Sequence, residues 1–148
     1  MKISIASDHG AYALKEHLKP FIESLGHEVI DFGTHSTDSC DYPLFIAPAA
    51  RALANGEVDR AVVLCTTGIG ASIVANKVEG VRCALVGDSW SAVMTRRHNN
   101  TNALAIGAGV TGPNLAEEIV RAWLSTDFDG GRHERRVDQI TAVERGEL

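Results

Sequence analysis

The chain has 148 residues, 45% apolar and 22% charged, with 14 Lys and Arg against 19 Asp and Glu for a net charge of −5. A chain this long buries roughly two thirds of its unfolded surface, so a single domain over residues 1–148 is expected and disordered or fibrous classes are excluded. No apolar run approaches the roughly 20 residues that span a bilayer, Met1 leads directly into a strand pattern, and the acidic balance gives no general attraction to nucleic acid or membranes; a cytoplasmic location is expected.

Lys2 to Ala6 reads as an apolar strand stopping at Ser7-Asp8-His9-Gly10, after which Ala11, Leu14, Leu18, Phe21, Ile22 and Leu25 recur at helical spacing up to a Gly26 cap. His27 to Phe32 reads as a second strand, Thr34 to Asp41 as a polar loop, and Tyr42-Pro43 as the start of an Ala-rich helix closed by Asn55-Gly56. Arg60 to Cys65 is apolar without alternation, as in a central parallel strand, and runs into Thr66-Thr67-Gly68-Ile69-Gly70. After a helix ending near Asn76, Val81 to Val86 reads as another buried strand, and Asp88 caps a helix reaching Arg97. His98-Asn99-Asn100 ends that helix, Ala103 to Ile106 is a fifth strand, and Pro113 to Leu124 is an amphipathic helix. Thr126 to Gly131 reads as a loop. His133 to Arg145 then forms a helical pattern with Val137, Ile140 and Val143 on one side.

Five strands alternating with helices imply an α/β fold, a three-layer doubly wound sandwich of the Rossmann type with a five-stranded parallel sheet and a C-terminal helix. Ligands in such folds sit beyond the carboxyl ends of the strands, and the loops taken to lie there are Ser7 to Gly10, Cys65 to Ser72 and His98 to Asn100.

Cys65 closes a buried strand before a Gly-rich turn, where amide N–H groups and a helix start converge, although by itself a small buried thiol is more often an ordinary core residue. Cys40 and Cys83 abut no such turn. Three cysteines without a CxxC pair or zinc spacing point to reduced thiols and no metal centre. The Thr66 to Ser72 segment lacks a P-loop Lys and does not follow the first strand, so neither nucleotide fingerprint applies. Its glycines admit close approach of a ligand to backbone donors, or simply make a tight turn. Asp8 reads as a helix cap or a ligand contact, and His98 as a general acid or base or a C-terminal cation. Arg132 and Arg136, four apart, share a helix face that suits a phosphate or solvent.

Taken in order, Ser7-Asp8-His9-Gly10, Asp41-Tyr42-Pro43, Cys65-Thr66-Thr67-Gly68-Ile69-Gly70 with Ala75-Asn76-Lys77, Arg97-His98-Asn99-Asn100-Thr101-Asn102, and Gly130-Gly131-Arg132-His133 with Arg136 resemble the ribose-5-phosphate isomerase B family, which also contains the galactose-6-phosphate isomerase subunits. The resemblance covers nearly the whole chain. It implies aldose-ketose isomerisation of ribose 5-phosphate and ribulose 5-phosphate through a cis-enediolate, without metal or other cofactor. Cys65 matches the family's base, and Ala71 occupies the position where some members carry a Glu base instead. Thr67 matches the residue near the substrate oxygens, the backbone from Gly68 through Gly70 to Ser72 the anion hole, and His98 the residue that opens the furanose ring. Asp8 and Asn99 match sugar-contacting positions, His9, Arg132 and Arg136 phosphate-binding ones, and Tyr42, in the Asp41-Tyr42-Pro43 segment, is counted among the substrate-binding residues. The resemblance also implies a homodimer or tetramer whose sites are shared, with the His98 segment coming from the partner and residues 133–147 forming an interface helix.

One position departs from the pattern: Gly109, in Gly107-Ala108-Gly109, stands where many members carry a phosphate-binding Arg. Losing one charge-assisted contact costs about 1.5–3 kcal/mol. This opens two alternatives, an isomerase of another sugar phosphate such as allose 6-phosphate or of an unphosphorylated sugar, and a non-catalytic sugar-phosphate-binding subunit.

Overall fold

Strands without polar alternation must be covered on both faces, and the chain does this with helices on each side. A computed structural model describes residues 1–148. In chain order it contains β1 (Lys2–Ser7), a 3-10 turn (His9–Ala11), α1 (Tyr12–Ser24), β2 (Glu28–Asp31), α2 (Pro43–Ala54), β3 (Arg60–Cys65), α3 (Ile69–Asn76), β4 (Cys83–Leu85), α4 (Ser89–Asn99), β5 (Ala103–Gly107), α5 (Pro113–Ser125) and α6 (Arg132–Glu144). The five strands form one parallel sheet ordered β2-β1-β3-β5-β4. Strand order reverses between β1 and β3, so the loops after these two strands flank the switch point.

Side-chain parity divides the core. Ile3 and Ile5, Val62 and Leu64, and Leu104 and Ile106 face one way and pack with α1, α4 and α5, including Leu18, Ile119 and fully buried Trp123. Ala61, Val63 and Cys65, with Ala103 and Ala105, face the other way against α2 and α3. The second face is built from small residues, which lets α3 start close above the sheet and places Cys65 under its first turn. No helix is long and apolar enough to cross a membrane.

Three expectations need correction. The strand expected over Val81 to Val86 is only Cys83–Leu85, and it is an edge strand with an exposed Leu85, paired with β5 alone. Helix α4 continues to Asn99 and is stopped by Asn100, whose left-handed φ of 46° ends it. Along α6, Val137 is buried while Ile140 and Val143 are exposed.

A fourth correction concerns the site. A helix that follows a parallel strand runs back against it, so α4 ends at the amino edge of the sheet. Asn102 O accepts from Ala61 N at the start of β3, and Arg82, just before β4, donates to Asn100 O. The His98–Asn100 turn therefore lies at the opposite edge from Cys65, roughly 17 Å away along β3 at about 3.3 Å per residue.

Candidate active site

At the carboxyl edge, Asp8, Tyr42, Cys65, Thr66, Thr67, Gly70 and two isoleucines line a cavity of about 440 Å³. The turn after β3 is shaped by Gly68, whose φ of 76° is left-handed and where a Cβ would lie 2.8 Å from Gly107 N. That conformation aims the Gly68 N–H at Cys65 Sγ, 3.1 Å away. Ile69 N donates to Thr67 Oγ1 at 3.3 Å, while the Ser72 amide goes to Gly68 O and its hydroxyl to Ile69 O. The expected backbone cradle is thus narrower than Gly68 to Ser72. Among these donors, the Gly70 and Ala71 amides are left without a partner in the chain, as first-turn amides require unless something outside the helix accepts from them.

Neighbouring turns clamp this one from both sides. Ala108 N donates to Cys65 O and Gly109 N to Thr66 O, and a Cβ on Gly107 would lie 2.5 Å from the Thr67 backbone. Asp8 caps the 3-10 turn by accepting from Ala11 N at 3.1 Å and also lines the cavity. His9 is exposed, and its Nδ1 accepts from Cys40 N at 3.2 Å; the neutral ring then carries its proton on Nε2. No Lys or Arg lines the cavity.

At the amino edge the materials differ. The end of α4 supplies Arg97, His98 and Asn99, and the start of α6 supplies Arg132, His133 and Arg136. Arg97 Nε donates to both oxygens of Asp129 at 3.1 Å, and Asp129 N donates to Arg97 O at 3.1 Å, which fastens the loop before α6 to the end of α4. The rings of His98 and His133 stack with centroids 4.2 Å apart and planes 9° apart. Burial first, then His98 and the Arg132 and Arg136 guanidiniums, hold His133 below the ordinary imidazole range, with Asp129 opposing. Ligand atoms of His98, Asp129 and His133 lie within 4.8 Å of one another. A histidine nitrogen binds a metal in its ring plane, however, and two stacked, nearly parallel planes do not meet near either ring, so both rings cannot hold one ion in this arrangement.

The predicted residues therefore fall into two groups: Asp8, His9, Tyr42, Cys65, Thr67, Gly68, Gly70 and Ser72 at one edge, and His98, Asn99, Arg132 and Arg136 at the other. Residue-level reading missed the His133 stack and the Arg97–Asp129 clasp. The only signal for them was the Gly130-Gly131 pair that turns the chain back onto α4.

The chain matches a family model described as Ribose/Galactose Isomerase over residues 3–140. A solved structure of ribose-5-phosphate isomerase B from Clostridium thermocellum is 49% identical, with 100% of each chain covered and a TM-score of 0.97. Ribose-5-phosphate isomerase B of Escherichia coli K12 is 44% identical over 144 residues, 97% of each chain. Galactose-6-phosphate isomerase subunit LacA of Clostridium acetobutylicum is 42% identical over 147 residues, covering 97% of this chain and 99% of that one.

Proposed function

The chain belongs to the ribose/galactose isomerase family, and on that premise we propose that it interconverts ribose 5-phosphate and ribulose 5-phosphate at a site completed by a second copy of itself. His98 of one copy opens the furanose. Cys65 of the other takes the C2 proton from the open-chain aldose and returns it to C1, while a proton moves between O2 and O1. The Gly70 and Ala71 amides, with Thr67 beside them, stabilise the enediolate, a kind of contact worth about 3–4 kcal/mol per donor in a dry site. Asp8, Tyr42 and Asn99 hold the sugar hydroxyls; His9, Arg132 and Arg136 hold the phosphate.

The observation that carries this reading is the separation of base from cations. A cavity with a thiol, a carboxylate and free amides but no Lys or Arg cannot by itself neutralise a phosphate, and the arginines sit at the far edge of the same sheet. A two-fold assembly brings one copy's amino edge onto the other's carboxyl edge, and isologous pairing then makes two complete sites. Leu44, Ile69 and Ile73, 69%, 53% and 55% exposed around the cavity, supply apolar surface for such a partner. In this assembly α6 is an interface element.

Gly109 favours a second reading, the same chemistry on another sugar. A Cβ there would come within 3.1 Å of Thr66 O and 3.2 Å of Thr66 Cγ2, so the site is packed around the absence of a side chain. Initial rates on ribose 5-phosphate, allose 6-phosphate and free ribose, with Cys65→Ala as control, decide between them. Cys65-dependent preference for ribose 5-phosphate supports the first reading. Preference for another sugar supports the second, and activity independent of Cys65 contradicts the mechanism.

A further inference from the structure

We infer that His133 is a positioning residue for His98, its stacked ring fixing the plane of the imidazole that acts on the sugar ring. The inference rests on the isomerase reading above and deepens it. His98 is half-buried in the last turn of α4, and its imidazole ring makes no hydrogen bond within the chain. The second torsion of a histidine is broad and soft, so an imidazole held only by its backbone samples many planes. General acid-base transfer needs the nitrogen within hydrogen-bond reach of the oxygen it protonates. What restrains this ring is the face of His133, 4.2 Å away and inclined by 9°.

His133 is itself well anchored. It is 8% exposed, sits in the first turn of α6, and donates its amide to Gly130 O at 3.1 Å. The Arg97–Asp129 clasp holds the preceding loop against α4, so ring, loop and helix end form one unit. The charged groups around the stack are Arg97, Arg132 and Arg136 on one side of the balance and Asp129 on the other. Burial and the cationic neighbours hold His133 below the ordinary imidazole range, which disfavours a second positive charge stacked against His98.

The test separates ring opening from proton transfer. Ribose 5-phosphate is mostly a closed furanose, whereas ribulose 5-phosphate has O5 esterified and stays open, so exchange of its C1 proton with deuterated solvent needs Cys65 but no ring opening. In His133→Asn, turnover of ribose 5-phosphate is expected to fall roughly tenfold with KM within about twofold, while exchange on ribulose 5-phosphate stays within about twofold of wild type. His133→Phe, which keeps a flat ring against His98, restores most of the turnover. The inference is overturned if His133→Asn leaves ribose 5-phosphate turnover unchanged, if both reactions fall together, or if Phe is as poor as Asn. Wild-type protein with no Cys65-dependent isomerisation would instead sink the isomerase reading itself.

Discussion

The two edges of the sheet are built by different means. At the carboxyl edge the chemistry is set by backbone: a left-handed Gly68, amides aimed at Sγ or left free, and turns packed so closely that a Cβ on Gly107 has no room. At the amino edge it is set by long side chains on two helix ends, held by one ion pair and one ring stack. The first arrangement suits a developing oxyanion, which needs fixed dipoles. The second suits recognition of a charged group, which tolerates motion and benefits from guanidinium forks. One chain holds both halves but keeps them apart.

Removing the proposed base is the harshest way to test this division. Cys65→Ala is expected to lower kcat at least about a thousandfold with little change in thermal stability, as read by initial rates and melting curves. Next comes the support beneath the carboxyl edge. Burial alone would raise the Asp31 carboxyl, but hydrogen bonds from Lys15, Lys19 and the Gly33 amide outweigh it and hold Asp31 below the ordinary carboxylate range. Lys15 is fully buried, 2.5 Å from Asp31 and 2.8 Å from Glu16, so Asp31→Asn leaves it Glu16 alone and costs about 1.5–3 kcal/mol at pH 7 for the lost charge-assisted contact. A depressed folded pKa contributes stability that is present above the unfolded value near 3.9 and is lost as pH falls through the folded one. Wild type should therefore weaken below about pH 4, and the variant should show a flatter acid limb in urea titrations at pH 3 to 7.

Arg132→Ala sharpens the comparison from the other edge. Loss of one charge-assisted phosphate contact, about 1.5–3 kcal/mol, should raise KM for a sugar phosphate roughly ten- to a hundredfold while leaving proton exchange on a saturated substrate nearly intact. The smallest effect concerns the thiols. Cys83 opens β4 at the amino edge, and burial pushes its thiol up to about 12. Iodoacetamide at pH 8 should leave Cys83 unlabelled in peptide mapping, and loss of activity should follow label at Cys65.

Much of the carboxyl edge was legible from sequence because short-range chemistry writes it. Strand β3 was read at its observed bounds, Arg60–Cys65, because a buried parallel strand is continuously apolar. Asp88 was correctly read as a cap; its carboxylate accepts from Ser91 N at 2.7 Å. The sequence makes β4 too long because Val81 and Val86 are buried beyond its paired residues; Val86 N still donates to Ala105 O at 3.1 Å, but the register pairing ends at Leu85. The His98 turn was assigned to the wrong edge although chain order held the answer: a turn from helix to strand lies at the amino edge of a parallel sheet. The His98–His133 stack and the Arg97–Asp129 clasp join residues 35 and 32 positions apart, and no local periodicity encodes such pairs.

The central claim is that base and cations meet only between copies. Cys65→Ala and His98→Asn proteins, each of low activity alone, should be mixed in equal amounts, dissociated, reassembled and assayed on ribose 5-phosphate. Random pairing makes half of the dimers mixed, each with one intact site of two, so the account predicts recovery to about a quarter of wild-type activity. Reassembled dimers that show no more activity than the two variants separately would contradict it and place the whole site within one chain.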